Sequence, residues 1–102
     1  MERYAWHAVI CPGKKAEYKK RHDEIWPEMT AALNEAGIHN YTIWNTGDHL
    51  FGYYECESIE HANKVQSESP VVAKWDKSME GIMTMEKDEN GSSLLTQFFL
   101  HK

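Results

Sequence analysis

Residues 39–57, HNYTIWNTGDHLFGYYECE, hold two runs rich in aromatic and β-branched side chains around a short Thr46-Gly47-Asp48 break. Runs of that kind read as strands, and a Gly–Asp break between them reads as a tight hairpin. A mid-chain hairpin commits two strands to antiparallel neighbours in one sheet. Whatever flanks it must build on that sheet or cover it.

The flanks repeat one pattern. Residues 3–10, RYAWHAVI, are strand-like and are ended by Cys11-Pro12-Gly13. Residues 14–25 then run as a helix with no breaker inside. Pro27 suits the first turn of a following helix, so the helical region breaks near Trp26–Pro27 and resumes through Met29, Ala32 and Leu33 to a stop at Gly37. After the hairpin, Ser58 caps a helix carrying Ile59, Ala62 and Val65. Ser69–Pro70 is a second helix start, with the serine as cap and the proline at the first helical position. Val71, Val72, Trp75, Met79, Ile82 and Met83 extend that last helix as an amphipathic period. A polar loop, KDENGSS, leads to a final strand over 94–100, LLTQFFL.

The order is β–α–β–β–α–β. It predicts an α+β, ferredoxin-like antiparallel sheet with helices on one face, in a single domain over residues 1–102. Both faces of the strands carry large residues, among them Trp6, Trp44, Phe51, Tyr53, Phe98 and Phe99. A freely solvated face does not tolerate that many aromatics, so a homodimer packed sheet against sheet is expected.

Charge and cysteines narrow the function. The formal net charge is −5, which disfavours phosphate backbones and argues against nucleic acid. The basic run Lys19–Arg21 is answered by Asp23 and Glu24 and reads as a solvated helix face. Cys11 and Cys56 are far apart and read as reduced thiols. With no export signal at the start and no apolar run of roughly 20 residues, the chain is expected to be cytoplasmic, away from membranes.

Chemistry-bearing residues concentrate in EYKKRHDEIWPEM, residues 17–29. Tyr18 and His22 lie four apart on one helix face. An imidazole can donate or accept a proton near neutral pH, and a phenol beside it can bind a hydroxyl. Spacing alone favours the plainer reading, a half-buried tyrosine beside a surface histidine. The other histidines fall in no compact metal-ligand spacing, and there is no G-x-G-x-x-G, P-loop or G-x-S-x-G. Trp75 reads most simply as core. A cleft holding Tyr18, His22, Tyr41 and Trp75 would still suit a sugar, whose C–H faces stack on aromatic rings.

The run EYKKRHDEIWPEM, then GIHNYTIW, then KWDKSMEGIM, resembles the L-rhamnose mutarotase family in order and approximate spacing over nearly the whole chain. The resemblance implies a small dimeric α/β barrel that interconverts the α and β anomers of a sugar without a cofactor. It implies His22 as proton donor and Tyr18 and Tyr41 as substrate-binding residues. Trp75 falls on the first residue of a substrate-contacting tryptophan pair. The family pattern continues with a second tryptophan where this chain has Asp76, a carboxylate able to accept bonds from sugar hydroxyls.

Other readings stay open on the residues. Asp76 admits L-fucose or another aldose as substrate. A small-ligand-binding protein or monooxygenase of the same fold would line an apolar or haem pocket with Trp6, Trp44 and Trp75. A purely structural dimer would make no use of Tyr18 and His22.

Overall fold

The computed structural model describes residues 1–102. The chain runs β1 (Glu2–Ile10), α1 (Lys15–Asp23), α2 (Pro27–Glu35), β2 (His39–Thr46), β3 (His49–Cys56), α3 (Ile59–Glu68), α4 (Pro70–Ser78) and β4 (Met83–Met85). The strands form one sheet in the order β2-β3-β1-β4, every pairing antiparallel. This is the ferredoxin-like arrangement, with each helical region in two pieces.

Local chemistry sets the breaks. Thr46 pairs with His49 across a Gly47–Asp48 loop, and Gly47 takes φ +57° where a side chain would be strained. Pro27 and Pro70 each occupy the first turn of a helix, where a missing N–H costs nothing. The Ser69 hydroxyl accepts from the Val72 amide at 3.3 Å, so one residue closes α3 and caps α4. Ser58 caps α3 in the same way, accepting from the His61 amide at 3.1 Å.

Alternation along the strands divides the sheet. Trp6, Ala8 and Ile10 of β1 and Leu50, Gly52, Tyr54 and Cys56 of β3 are buried under the helices. Tyr18, Met29, Val72, Trp75 and Met79 meet the sheet from the helix side and complete the main core. A smaller cluster of Ala36, Ile38, Tyr54, Cys56 and Ala62 closes the end of the sheet near α3. Trp44, by contrast, pairs with Phe51 on the opposite face and is 68% exposed.

Two expectations need correction in the last third of the chain. The apolar period from Val71 does not run as one helix to Met83. Helix α4 ends at Ser78, Gly81 turns the chain at φ +79°, and Met83–Met85 form the last strand beside Ala8–Ile10. Ile82 still reaches the core, which is why the helical period continued through it. Residues 94–100 are not that strand. They continue along the same edge of β1 with only the Trp6–Leu94 bridge and a Leu95 N–H to Ala5 carbonyl bond of 2.8 Å. Beyond Leu95 nothing on this chain pairs with them, and Phe98 and Phe99 stand 96% and 81% exposed.

Candidate active site

The cleft opens between the inner face of the sheet and helices α1 and α4. It is two adjoining cavities of about 450 and 380 Å³, each within the range of small-molecule sites, roughly 300–1,000 Å³. His22, Tyr41, Ile43, Trp75 and Asp76 belong to both. Tyr18 and Trp6 complete the second cavity. Tyr18, His22, Tyr41, Trp75 and Asp76 therefore come together from α1, β2 and α4, although they are up to 58 positions apart in sequence (76 − 18).

Helical spacing does what it promised on α1. The Tyr18 and His22 rings stack with centroids 4.3 Å apart, and Tyr18 is buried. His22 Nδ1 lies 3.0 Å from the Tyr18 carbonyl oxygen. A carbonyl only accepts, so Nδ1 carries the hydrogen and Nε2 is the nitrogen free to gain or lose a proton. Burial pushes the imidazole below its usual range, opposed by the Tyr18 carbonyl and the Asp23 charge. Burial thus biases His22 toward the neutral form, and Nε2 is where the ring gains and loses its second proton.

Trp75 is a buried wall more than a loose platform. His22 and Trp26 both meet it edge-on, at 5.4 and 5.1 Å between centroids. Trp26, which precedes the helix break, braces the tryptophan that shapes the cleft. Arg21, next to His22, ties α1 to α4: Nη1 donates to the Ser78 carbonyl and Nε donates to Glu17 at 2.8 Å.

Tyr41 reaches the cleft through a one-residue bulge. His39 pairs with Glu55 and Thr42 with Tyr53, so Asn40 and Tyr41 together oppose Tyr54. Asn40 adopts φ +51°, which asparagine tolerates better than most residues, and its amide donates to Glu55 at 2.7 Å. Tyr41 is turned inward, where its hydroxyl accepts from Trp6 Nε1 at 3.0 Å. Burial, tempered by that bond, pushes the phenol up to about 12. Tyr18 is pushed up still more strongly by burial. Both phenols are O–H donors at any ordinary pH.

Asp76 stands exposed at the mouth, yet the protein around it desolvates the carboxyl enough to raise its pKa. Glu80 is the other carboxylate at the second cavity. Trp6, Trp44 and Trp75 do not line a common pocket, because Trp44 lies on the far face of the sheet. That removes the geometry a three-tryptophan ligand pocket would need.

Two residues that hold the site went unnoticed as such in sequence. Gly52, in mid-strand on β3, is where the Trp6 indole lies flat on the backbone: a Cβ there would come within 1.9 Å of the ring. Asn40 makes the bulge that aims Tyr41. Both carried a signal, a glycine inside a strand and an asparagine at its start.

Comparison with known proteins gives the chain's family and fold. The family model for L-rhamnose mutarotase matches residues 3–100. The chain is 40% identical to the L-rhamnose mutarotase of Oceanobacillus iheyensis, covering 97% of each. It superposes on the crystal structure of an L-rhamnose mutarotase from Formosa agariphila with a TM-score of 0.80 at 26% identity, covering 100% of both chains. A dimeric ferredoxin-like protein from an uncultured marine organism shares the fold at a TM-score of 0.61 and 15% identity, over 99% of this chain and 100% of that one.

Proposed function

This chain belongs to the L-rhamnose mutarotase family, and on that premise we propose that the α1–α4 cleft is its catalytic site, with His22 as the proton donor to the sugar. The protein is an isomerase that interconverts the α and β anomers of L-rhamnose. The observation that carries the site assignment is the convergence of His22, Tyr41, Trp75 and Asp76 on both cavities, with the His22 tautomer set by the Tyr18 carbonyl.

Mutarotation asks little of a protein beyond proton placement. The anomeric hydroxyl loses a proton and the ring oxygen gains one. The C1–O5 bond opens to the aldehyde, C1–C2 turns, and the ring closes on the other face. His22 Nε2 is the free ring nitrogen that would give and retake such a proton, and an imidazole is suited to both directions. Tyr18 and Tyr41 hold the sugar through their hydroxyls. Trp75 supplies an apolar wall, and Asp76 accepts from hydroxyls at the mouth.

We also place the protein in the cytoplasm as a homodimer. Cys11 and Cys56 are both free thiols, as a reducing compartment keeps them. The exposed Trp44, Phe98 and Phe99 are the apolar surface a second copy would cover.

The test is anomer exchange followed by saturation-transfer NMR on L-rhamnose, L-fucose and D-galactose. Exchange above the enzyme-free rate, fastest on L-rhamnose, is expected. His22→Ala should slow it by about 10²–10⁴-fold with the fold retained. A His22→Ala protein as fast as wild type would remove His22 from the mechanism.

A further inference from the structure

Anomer exchange moves two protons, one at the anomeric oxygen O1 and one at the ring oxygen O5, and a neutral sugar reacts fastest when an acid and a base act together. His22 offers one such group. Its single free nitrogen, Nε2, engages one oxygen at a time.

The second group must lie on the same cavities. Asp76 lines both, as His22 does, and directly follows Trp75, whose ring His22 meets edge-on at 5.4 Å. The Arg21 bond to the Ser78 carbonyl fixes the helix carrying Asp76 against the helix carrying His22. The remaining ionisable groups suit the task less well. Tyr18 and Tyr41 are held as phenols by burial. Glu80 borders only the second cavity, and Lys15, Lys19 and Asp23 border only a third. Helix α3 faces the cleft with Asn63, Gln66 and Ser67, and β4 with Met83 and Met85, none of which titrates.

We propose that Asp76 is the second proton-transfer residue of the reaction, exchanging a proton with the anomeric oxygen while His22 exchanges one with the ring oxygen. This rests on the mutarotase reading and deepens it. Ring opening starts with the one proton of the pair on His22 Nε2, and the Asp76 carboxylate takes the proton from O1–H. The O–H electron pair becomes the second C1–O1 bond, the C1–O5 pair leaves to O5, and O5 takes the proton from His22 Nε2. The pair ends with Asp76 protonated and His22 neutral. After rotation about C1–C2, O5 attacks C1 from the other face, its proton returns to Nε2, and Asp76 returns its proton to O1. Atoms and charge balance over the cycle. A carboxyl suits the O1 position because its two oxygens can meet O1 in either anomer.

Burial supports the pairing. It disfavours charge on both groups, lowering the imidazole and raising the carboxyl, so the gap between them narrows. A proton then passes between the two arrangements of the pair at smaller cost. The active form carries one proton on the pair, and the two placements are kinetically equivalent.

The experiment is the pH profile of anomer exchange on L-rhamnose, enzyme-free rate subtracted, for wild type, Asp76→Asn and Asp76→Glu. Wild type should give a bell, its acid limb above the ordinary aspartate pKa of about 3.9 and its alkaline limb below the ordinary histidine value of about 6.5. Asp76→Asn should lower kcat by about 10²–10⁴-fold and abolish the acid limb, keeping the alkaline one. Asp76→Glu should restore part of kcat and the acid limb. Because the partly desolvated carboxylate opposes folding as pH rises through its raised pKa, Asp76→Asn should also raise Tm at neutral pH. An Asp76→Asn enzyme that keeps kcat and the acid limb and changes only KM would overturn the proposal, leaving the mutarotase reading intact. A wild-type protein without exchange on L-rhamnose would overturn that reading itself.

Discussion

Gly52 shows how a residue with no side chain can decide the geometry of a cleft it does not line. The Trp6 indole lies flat on the β3 backbone at Gly52, and from there Nε1 donates to the Tyr41 hydroxyl. A methyl group at Gly52 would come within 1.9 Å of Cε2 and 2.2 Å of Nε1, and the obstruction is a buried ring that cannot swing away cheaply. Gly52→Ala should therefore cost about 1–3 kcal/mol of stability, as overpacking does, and release Tyr41 by displacing the indole. The measurement is urea unfolding together with KM for L-rhamnose. An alanine variant with wild-type midpoint and KM would mean that Trp6 can move without consequence. The strand signal at HLFGYYEC was easy to read, but the partner of its glycine was not. Trp6 and Gly52 are 46 positions apart (52 − 6) and meet only through the β1–β3 register, which pairs them.

At the level of elements, caps and turns were legible because their chemistry is local. Ser69–Pro70 announces a helix start whatever surrounds it, and Gly47 announces a hairpin. The order of strands and helices followed. The last strand was misplaced for a non-local reason. LLTQFFL has the stronger strand composition, yet Met83–Met85 take the pairing beside Ala8–Ile10, because Gly81 delivers them straight from α4 to that edge. Composition ranks segments by propensity, whereas connection length decides which arrives first. The clasp between α1 and α4 was hidden in the same way. Arg21 looked like part of a solvated basic run, but its Nη1 donates to the Ser78 carbonyl at the end of α4, where helix carbonyls lack partners. Arg21→Met keeps most of the aliphatic stem and removes the donor. It should cost about 1–2 kcal/mol, as loss of one charge-assisted bond does. Its effect on anomer exchange should exceed that, because His22 and Asp76 ride on the two helices it joins. Thermal melting and NMR exchange on the same sample separate the two. A variant that loses stability but keeps kcat would make the clasp structural only.

For the whole molecule, the two faces of the sheet have unequal fates. The inner face is covered by four helices and holds the cleft. The outer face carries Trp44, Phe51 and Tyr53, and the tail crosses its edge at Arg3, Ala5 and Tyr53 before ending with Phe98 and Phe99 in the open. Apart from the tail, no element of this chain covers that surface, and Trp44 on the sheet with Phe98 and Phe99 on the tail are 68%, 96% and 81% exposed. A stable interface needs roughly 800 Å² from each partner, and aromatic side chains near its centre carry most of the energy. A second copy brings the same sheet face and the same tail, so a two-fold dimer would set the patch against itself. Light scattering should find a dimer in wild type. Trp44→Glu combined with Phe98→Ser should weaken it by about 2 kcal/mol or more, roughly 30-fold or greater in the dimer dissociation constant. Both changes lie away from the α1–α4 cleft, so its lining stays in place in the resulting monomer. If each cleft is complete within its own chain, anomer exchange per chain should survive dissociation. If exchange collapses with the dimer while circular dichroism stays native, the partner supplies part of the pocket wall. A wild-type chain that scatters as a monomer at every concentration would leave Trp44, Phe98 and Phe99 as bare aromatic surface and sink the dimer.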